Sequence, residues 1–144
     1  MTSTDNIERG SEYRRLPLPP ENGPEHVLLV DDDPNFRMIV YLSLKKLGYA
    51  VSVAGNAEEA VAIAAQNRDI QLLLTDVAMP GTNGVELAEK IREIRPHLKV
   101  LFISGFPLKT LEGMGVATDL VQFLQKPFHA AELDERIKAI LAGA

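Results

Sequence analysis

Five side chains in this sequence stand where an apolar run ends. Asp31 and Asp32 follow Val27-Leu28-Leu29-Val30, and Asp76 follows Leu72-Leu73-Leu74-Thr75. Ser104 follows Leu101-Phe102-Ile103, and Lys126 comes two residues after Leu120-Val121-Gln122-Phe123-Leu124. Three carboxylates brought together repel one another, so their charge must be offset by protonation or by a cation. The set offers only oxygen ligands, the chain has no cysteine, and no histidine falls at a ligand-like spacing. A hard cation is implied, and Mg²⁺ fits best: it binds through one or two carboxylates, keeps several waters and leaves positions for phosphate. Carboxylates, Mg²⁺, a hydroxyl and an ammonium together suit a phosphoryl group. An aspartate can accept one as an acyl phosphate, while metal and ammonium spread the charge of the group in transit.

These residues meet only if the runs are strands of one sheet. His26–Val30 reads as the first strand. Asp33 then serves as N-cap with Pro34 at the first helical position, and Phe36, Ile39, Val40, Leu44 and Leu47 recur at helical spacing up to a stop at Gly48. Tyr49–Ala54 reads as the second strand. Asn56 and Glu59 resemble a capping box ahead of a helix with the small-residue face Ala57, Ala60, Val61 and Ala64. Asp69–Thr75 gives the third strand, with Asp76 at its carboxyl end, and Met79-Pro80-Gly81-Thr82-Asn83-Gly84 forbids its continuation. Asn83 with Glu86 opens a helix whose apolar face is Leu87, Ala88, Ile91 and Ile94, ended by Pro96. Leu98–Ile103 is the fourth strand. Between Phe106 and Asp119, Pro107, Gly113 and Gly115 leave only a short helix around Lys109–Met114 and a flexible approach to the fifth strand, Leu120–Leu124. The last helix opens near His129 with Leu133, Ile137, Ile140 and Leu141 inward.

Five successive β-α units predict an α/β fold: a doubly wound parallel sheet with helices on both faces, joined by right-handed crossovers. Ligands in such sheets collect at the carboxyl ends of the strands, at the point where the strand order reverses. A strand order of 2-1-3-4-5 would make the first and third strands neighbours there, and Asp31, Asp32 and Asp76 would share one crevice.

The chain has 144 residues and a formal net charge of −5. That length suits one domain, and the charge argues against an electrostatic nucleic-acid binder. No apolar stretch approaches the roughly 18–20 residues of a membrane span. The N-terminus has acidic residues and no apolar core of a secretory signal. The expectation is a cytoplasmic protein that binds neither nucleic acid nor membrane. Residues 1–24, rich in Pro and Arg and without apolar period, read as a flexible extension, leaving 25–144 as the domain. His26, His97 and His129 lie at unrelated positions and read as surface or cap residues.

Four motifs in order resemble the response-regulator receiver domains of two-component signalling: Leu-Leu-Val-Asp31-Asp32-Asp33, Leu-Thr-Asp76-Val-Ala-Met-Pro80-Gly-Thr-Asn-Gly84, Ile-Ser104-Gly105, and Phe123-Leu-Gln-Lys126-Pro127-Phe128. Each is modest alone; together, at strand ends, they are specific. The resemblance covers residues 25–144 and implies the (βα)5 flavodoxin-like sheet with order 2-1-3-4-5. It implies Asp76 as phosphoacceptor, Asp32 as direct Mg²⁺ ligand, Asp31 acting mainly through water, and the backbone carbonyl of Ala78 completing the protein's ligands. Ser104 would bond a phosphate oxygen and Lys126 would pair with the phosphate, the Lys126-Pro127 bond being cis. Phe123 occupies the switch-aromatic position. The implied donors are a sensor histidine kinase or a histidine phosphotransfer protein. The implied output is a protein target on the face made by the fourth helix and fifth strand. Such a domain is not an enzyme beyond its own phosphorylation and dephosphorylation.

Two departures stand out. Ala78, two residues after the acceptor, offers no polar side chain to an attacking water, which bears on phosphate lifetime. Phe123 lacks the hydroxyl of the commoner tyrosine. Ala78 also counts against a Mg²⁺-dependent phosphohydrolase, which would want a second acid/base Asp there. A flavodoxin-like carrier would need a Ser/Thr/Gly-rich loop after the first strand, where this chain has acids. A phosphorylation-independent interaction module is the main alternative, and the intact set Asp31, Asp32, Asp76, Ser104 and Lys126 argues against it. With no room for an output domain after residue 144, the expectation is a single-domain regulator, a relay intermediate or the receiver of a hybrid kinase. The wording around Asp76 and Lys126 leans towards the last.

Overall fold

The computed structural model describes residues 24–115 and 122–143. In chain order these form β1 (His26–Val30), α1 (Pro34–Lys46), β2 (Ala50–Ala54), α2 (Ala57–Gln66) and β3 (Ile70–Asp76). There follow α3 (Gly84–Ile94), β4 (Lys99–Ser104), α4 (Leu108–Gly113), β5 (Phe123–Gln125) and α5 (Ala130–Leu141). All five strands are parallel, in the order β2-β1-β3-β4-β5. The α/β sheet of the expected order is therefore observed.

The continuous apolar runs follow from burial on both faces of the sheet. Alternate side chains point to opposite sides. Val27, Leu29, Leu72, Leu74, Leu101 and Ile103 pack with Val40 and Leu44 of α1 and Leu133, Ile137 and Ile140 of α5. Leu28, Val30, Leu73, Val100 and Phe102 pack with α2, α3 and Leu111 of α4. The small face of α2 is real: Ala57, Ala60 and Ala64 are buried, which lets that helix lie close to the sheet.

The caps act where the sequence placed them. Asp33 accepts from the backbone N–H groups of Asn35 and Phe36. Asn56 accepts from the Glu59 N–H at 2.9 Å. Asn83 and Glu86 form a full capping box at the start of α3, with bonds of 2.9 and 3.0 Å. The His129 N–H donates to Glu132 Oε1 at 2.9 Å.

Several boundaries shift. Asp76 belongs to β3 rather than following it, because the pairing with β4 runs on to Asp76↔Ile103. Ser104 likewise closes β4, opposite Gln125 of β5. The described part of the fifth strand is Phe123–Gln125; Leu120 and Val121 lie outside the described residues, as does the extension up to residue 23. Ile39, Leu47 and Ile94, which carry the helical period in sequence, are exposed. The buried stripe of α1 is only Val40 and Leu44, and Ile39 and Leu47 flank it on the solvent side. Among the described residues no helix is long and apolar enough to cross a membrane.

Candidate functional site

The carboxyl ends of β1, β3, β4 and β5 bring Asp31, Asp32, Asp76, Ser104 and Lys126 to one end of the sheet. Asp31, Asp32 and Asp76 each place a carboxylate oxygen within 4.8 Å of the others. Asp31 is fully buried, Asp76 nearly so, and Asp32 faces solvent. The Lys126 ammonium bridges two of them, 2.9 Å from Asp31 Oδ2 and 3.3 Å from Asp76 Oδ2. The Lys126-Pro127 bond is cis.

The backbone fixes the two buried carboxylates. Asp31 Oδ1 accepts from the Asp33 N–H at 3.0 Å. Its carbonyl accepts from Arg37 Nη1 at 2.7 Å, so the first turn of α1 is tied to the end of β1. Asp76 Oδ1 accepts from the Ala78 N–H at 3.3 Å. The following turn closes through Gly84 N–H to Val77 O, and Val77 N–H to Ile103 O, both at 2.8 Å. Gly84 sits against Asp76 so tightly that a Cβ there would overlap the Asp76 carbonyl oxygen.

Charge and burial set the protonation. Burial pushes the Asp76 carboxyl up to about 6; the neighbouring Asp31 adds to this, and the Lys126 ammonium opposes it. For Lys126, burial works against the charged form. The hydrogen bond to Asp31 and the charges of Asp76 and Asp31 outweigh it, and the ammonium is held above its ordinary value. An all-oxygen donor set of three carboxylates, one open to solvent, fits a hard divalent cation that retains waters. The residues present therefore suit Mg²⁺.

Ser104 is fully buried at the same end of the sheet. Its Oγ accepts from the Phe106 N–H at 2.9 Å, within its own turn, and its carbonyl accepts from the Lys126 N–H at 2.8 Å. Phe123 is half-buried on β5, and its carbonyl accepts from Arg136 Nη1 at 2.6 Å. Ala78 reaches the site through its N–H. Two contributors escape the sequence reading. Phe36, there only one of a helical row of apolar residues, lies with its ring centroid 4.1 Å from the Lys126 ammonium. Arg37 anchors Asp31. Their place in the first turn after an Asp-rich strand end was the available signal.

The family model described as the response regulator receiver domain matches residues 27–138. The response regulator receiver protein CpdR of Brucella abortus (strain 2308) is 37% identical over 120 residues, covering 83% of this chain and 99% of that protein. The crystal structure of the receiver domain from hybrid histidine kinase CckA is 37% identical, with a TM-score of 0.67, over 81% of this chain and 98% of that one. A response regulator receiver protein from Pseudomonas putida is 30% identical with a TM-score of 0.69, over 81% and 98%. The sheet order, the acid cluster at its carboxyl end and these likenesses agree, and the chain belongs to the receiver-domain family of two-component response regulators.

Proposed function

We propose that Asp76 is the phosphoacceptor of a two-component or phosphorelay pathway, taking its phosphoryl group from a phosphohistidine on a sensor kinase or histidine phosphotransfer protein. The observation that carries this reading is the convergence of Asp31, Asp32 and Asp76 within 4.8 Å, with the Lys126 ammonium between Asp31 and Asp76.

An ionised Asp76 oxygen attacks the phosphorus. The O–P bond forms as the N–P bond breaks, and the electron pair returns to the imidazole nitrogen of the donor. With its pKa near 6, Asp76 is mostly ionised at neutral pH and above. Asp31, Asp32 and Asp76, with the Ala78 carbonyl, are the residues that would hold Mg²⁺, which supplies positive charge to the phosphoryl oxygens. Lys126 exchanges its contact with Asp76 for one with the phosphate. Ser104 gives up its bond from the Phe106 N–H and turns its hydroxyl to a phosphate oxygen, leaving space for the Phe123 ring. That exchange biases the surface of α4 and β5, where a partner reads the state. Water attack at phosphorus returns the carboxylate and inorganic phosphate; Ala78 gives that water no side-chain partner. The unit so assigned spans residues 25–144, preceded by an extension over 1–24.

The test is uptake of label from a phosphorylated donor by the wild type and by Asp76→Ala, with Mg²⁺ and with excess chelator. Labelling of the wild type alone, and only with Mg²⁺, is expected. Equal labelling of both proteins removes Asp76 as acceptor. No labelling from any histidine-phosphorylated donor leaves the domain as a binding module.

A further inference from the structure

Lysine is a compact charge on a flexible stem and lacks the rigid fork of arginine, so a lysine that must hold one position needs something to hold it. Lys126 has two anionic contacts, Asp31 Oδ2 at 2.9 Å and Asp76 Oδ2 at 3.3 Å. Its third contact is the ring of Phe36, whose centroid lies 4.1 Å from Nζ. An aromatic face attracts a cation through its quadrupole, and more strongly where water is excluded; the Lys126 side chain is 17% exposed. The ring is itself braced. Phe36 meets Phe128 edge to face, with centroids 5.8 Å apart and planes at 89°, and both pack against the core on the α1/α5 side of the sheet. Arg37, the next residue, pins the same turn of α1 to the Asp31 carbonyl at 2.7 Å.

We propose that Phe36 is a positioning residue for Lys126: its ring face holds the ammonium over the gap between Asp31 and Asp76. Modification of Asp76 would exchange that anionic contact for one with the phosphate, whereas the Phe36 ring, on α1, takes no part in the exchange. The ring therefore keeps the lysine at the site through the exchange from carboxylate to phosphate. The consequence for phosphoryl uptake rests on the function proposed above; the placement of the ammonium does not.

The experiment compares wild type, Phe36→Leu and Phe36→Tyr in the full chain. NMR of the Lys126 side chain reads the placement directly, because a ring face at this distance shields the Hε protons. Phe36→Leu is expected to lose that upfield displacement and Phe36→Tyr to keep it. Acetyl phosphate with Mg²⁺ reads the consequence: Phe36→Leu slows uptake by about three- to tenfold, in the range of one partly desolvated cation–π contact, and Phe36→Tyr recovers most of the loss. In a Lys126→Ala background, Phe36→Leu has no further effect. Unchanged Lys126 shifts in Phe36→Leu overturn the proposal. So does an equal slowing by Phe36→Leu with and without Lys126, which would mark general damage to the turn. If the wild type takes up no phosphoryl group from acetyl phosphate or from a histidine-phosphorylated donor, the proposed function fails, while the Lys126 shifts still decide the positioning role.

Discussion

Gly84 opens α3 directly against the backbone of Asp76, with no space for a Cβ between them. The bond from Gly84 N–H to Val77 O at 2.8 Å closes the intervening turn, so the helix start and the candidate acceptor are one rigid piece. Phe102, Ile103 and Thr75 surround that piece in the sheet, which leaves little room for adjustment. Gly84→Ala is expected to destabilise the fold by about 2–3 kcal/mol, the upper range for overpacking a tight site. Urea unfolding measures this. A change under about 0.5 kcal/mol would mean that the turn yields easily.

Asp76 gives a pH dependence with a definite sign. Its folded pKa is about 6 against an ordinary 3.8, so between those values the folded state binds a proton that the unfolded state does not. Stability therefore falls as pH rises through this window and levels off above about 6. At about 1.4 kcal/mol per pH unit the loss is about 3 kcal/mol. In metal-free buffer Asp76→Asn is expected to be more stable than the wild type at pH 7.5 by up to that amount and equal to it below pH 4. Denaturant midpoints across pH 4–8 check this; an Asn variant less stable at pH 7.5 contradicts it.

Cation binding should relieve the same strain. If Asp31, Asp32 and Asp76 hold Mg²⁺, adding it at one hundred times its dissociation constant stabilises the fold by about 2.7 kcal/mol through linkage. Asp32 is exposed and its carboxylate joins the cluster, so Asp32→Ala removes a ligand at little cost to the metal-free fold. Thermal melts with and without Mg²⁺ are expected to separate for the wild type and to converge for Asp32→Ala.

Away from the site, the Tyr49 hydroxyl donates to Asp134 Oδ1 at 2.7 Å, joining the start of β2 to α5 across 85 residues. Burial first, and then this bond, hold the phenol above its ordinary pKa. Tyr49→Phe is expected to cost about 1–2 kcal/mol, a hydrogen bond to a charged group in a part-buried setting. Lys138→Met, which removes only the exposed i,i+4 partner of Asp134, should cost under about 0.5 kcal/mol. Urea unfolding of the two single variants measures the difference.

The strand ends were legible because doubly buried strands leave unbroken apolar runs, and a charged residue after such a run is conspicuous. Asp31, Asp32, Asp76 and Lys126 were found that way, and the structure gathers them. The caps Asp33, Asn56 and Asn83 were legible because capping is local. Pairing between strands is not local, which is why Asp76 and Ser104 belong to strands that the apolar pattern ended one residue early. The Phe36 ring over Lys126 was hidden for a similar reason: it joins the first turn of α1 to the turn after β5, and no periodicity reports a contact across that distance. Ile39 shared the helical row of Val40 and Leu44, but periodicity alone does not say how wide the buried stripe is. Gly84 read as a turn former, and the crowding at the Asp76 carbonyl that requires it appears only in three dimensions.

Lys126 follows Asp31 by 95 residues and Asp76 by 50. During synthesis, which releases the N-terminal portion first, the acids of β1 and β3 emerge well before their ammonium counter-charge. A nascent chain that has folded only through β3 carries uncompensated anions in a closing interior. The ammonium of Lys126 joins them only when the final strand and the turn after it have docked. Completing the sheet and bringing Lys126 against Asp31 and Asp76 are thus one event.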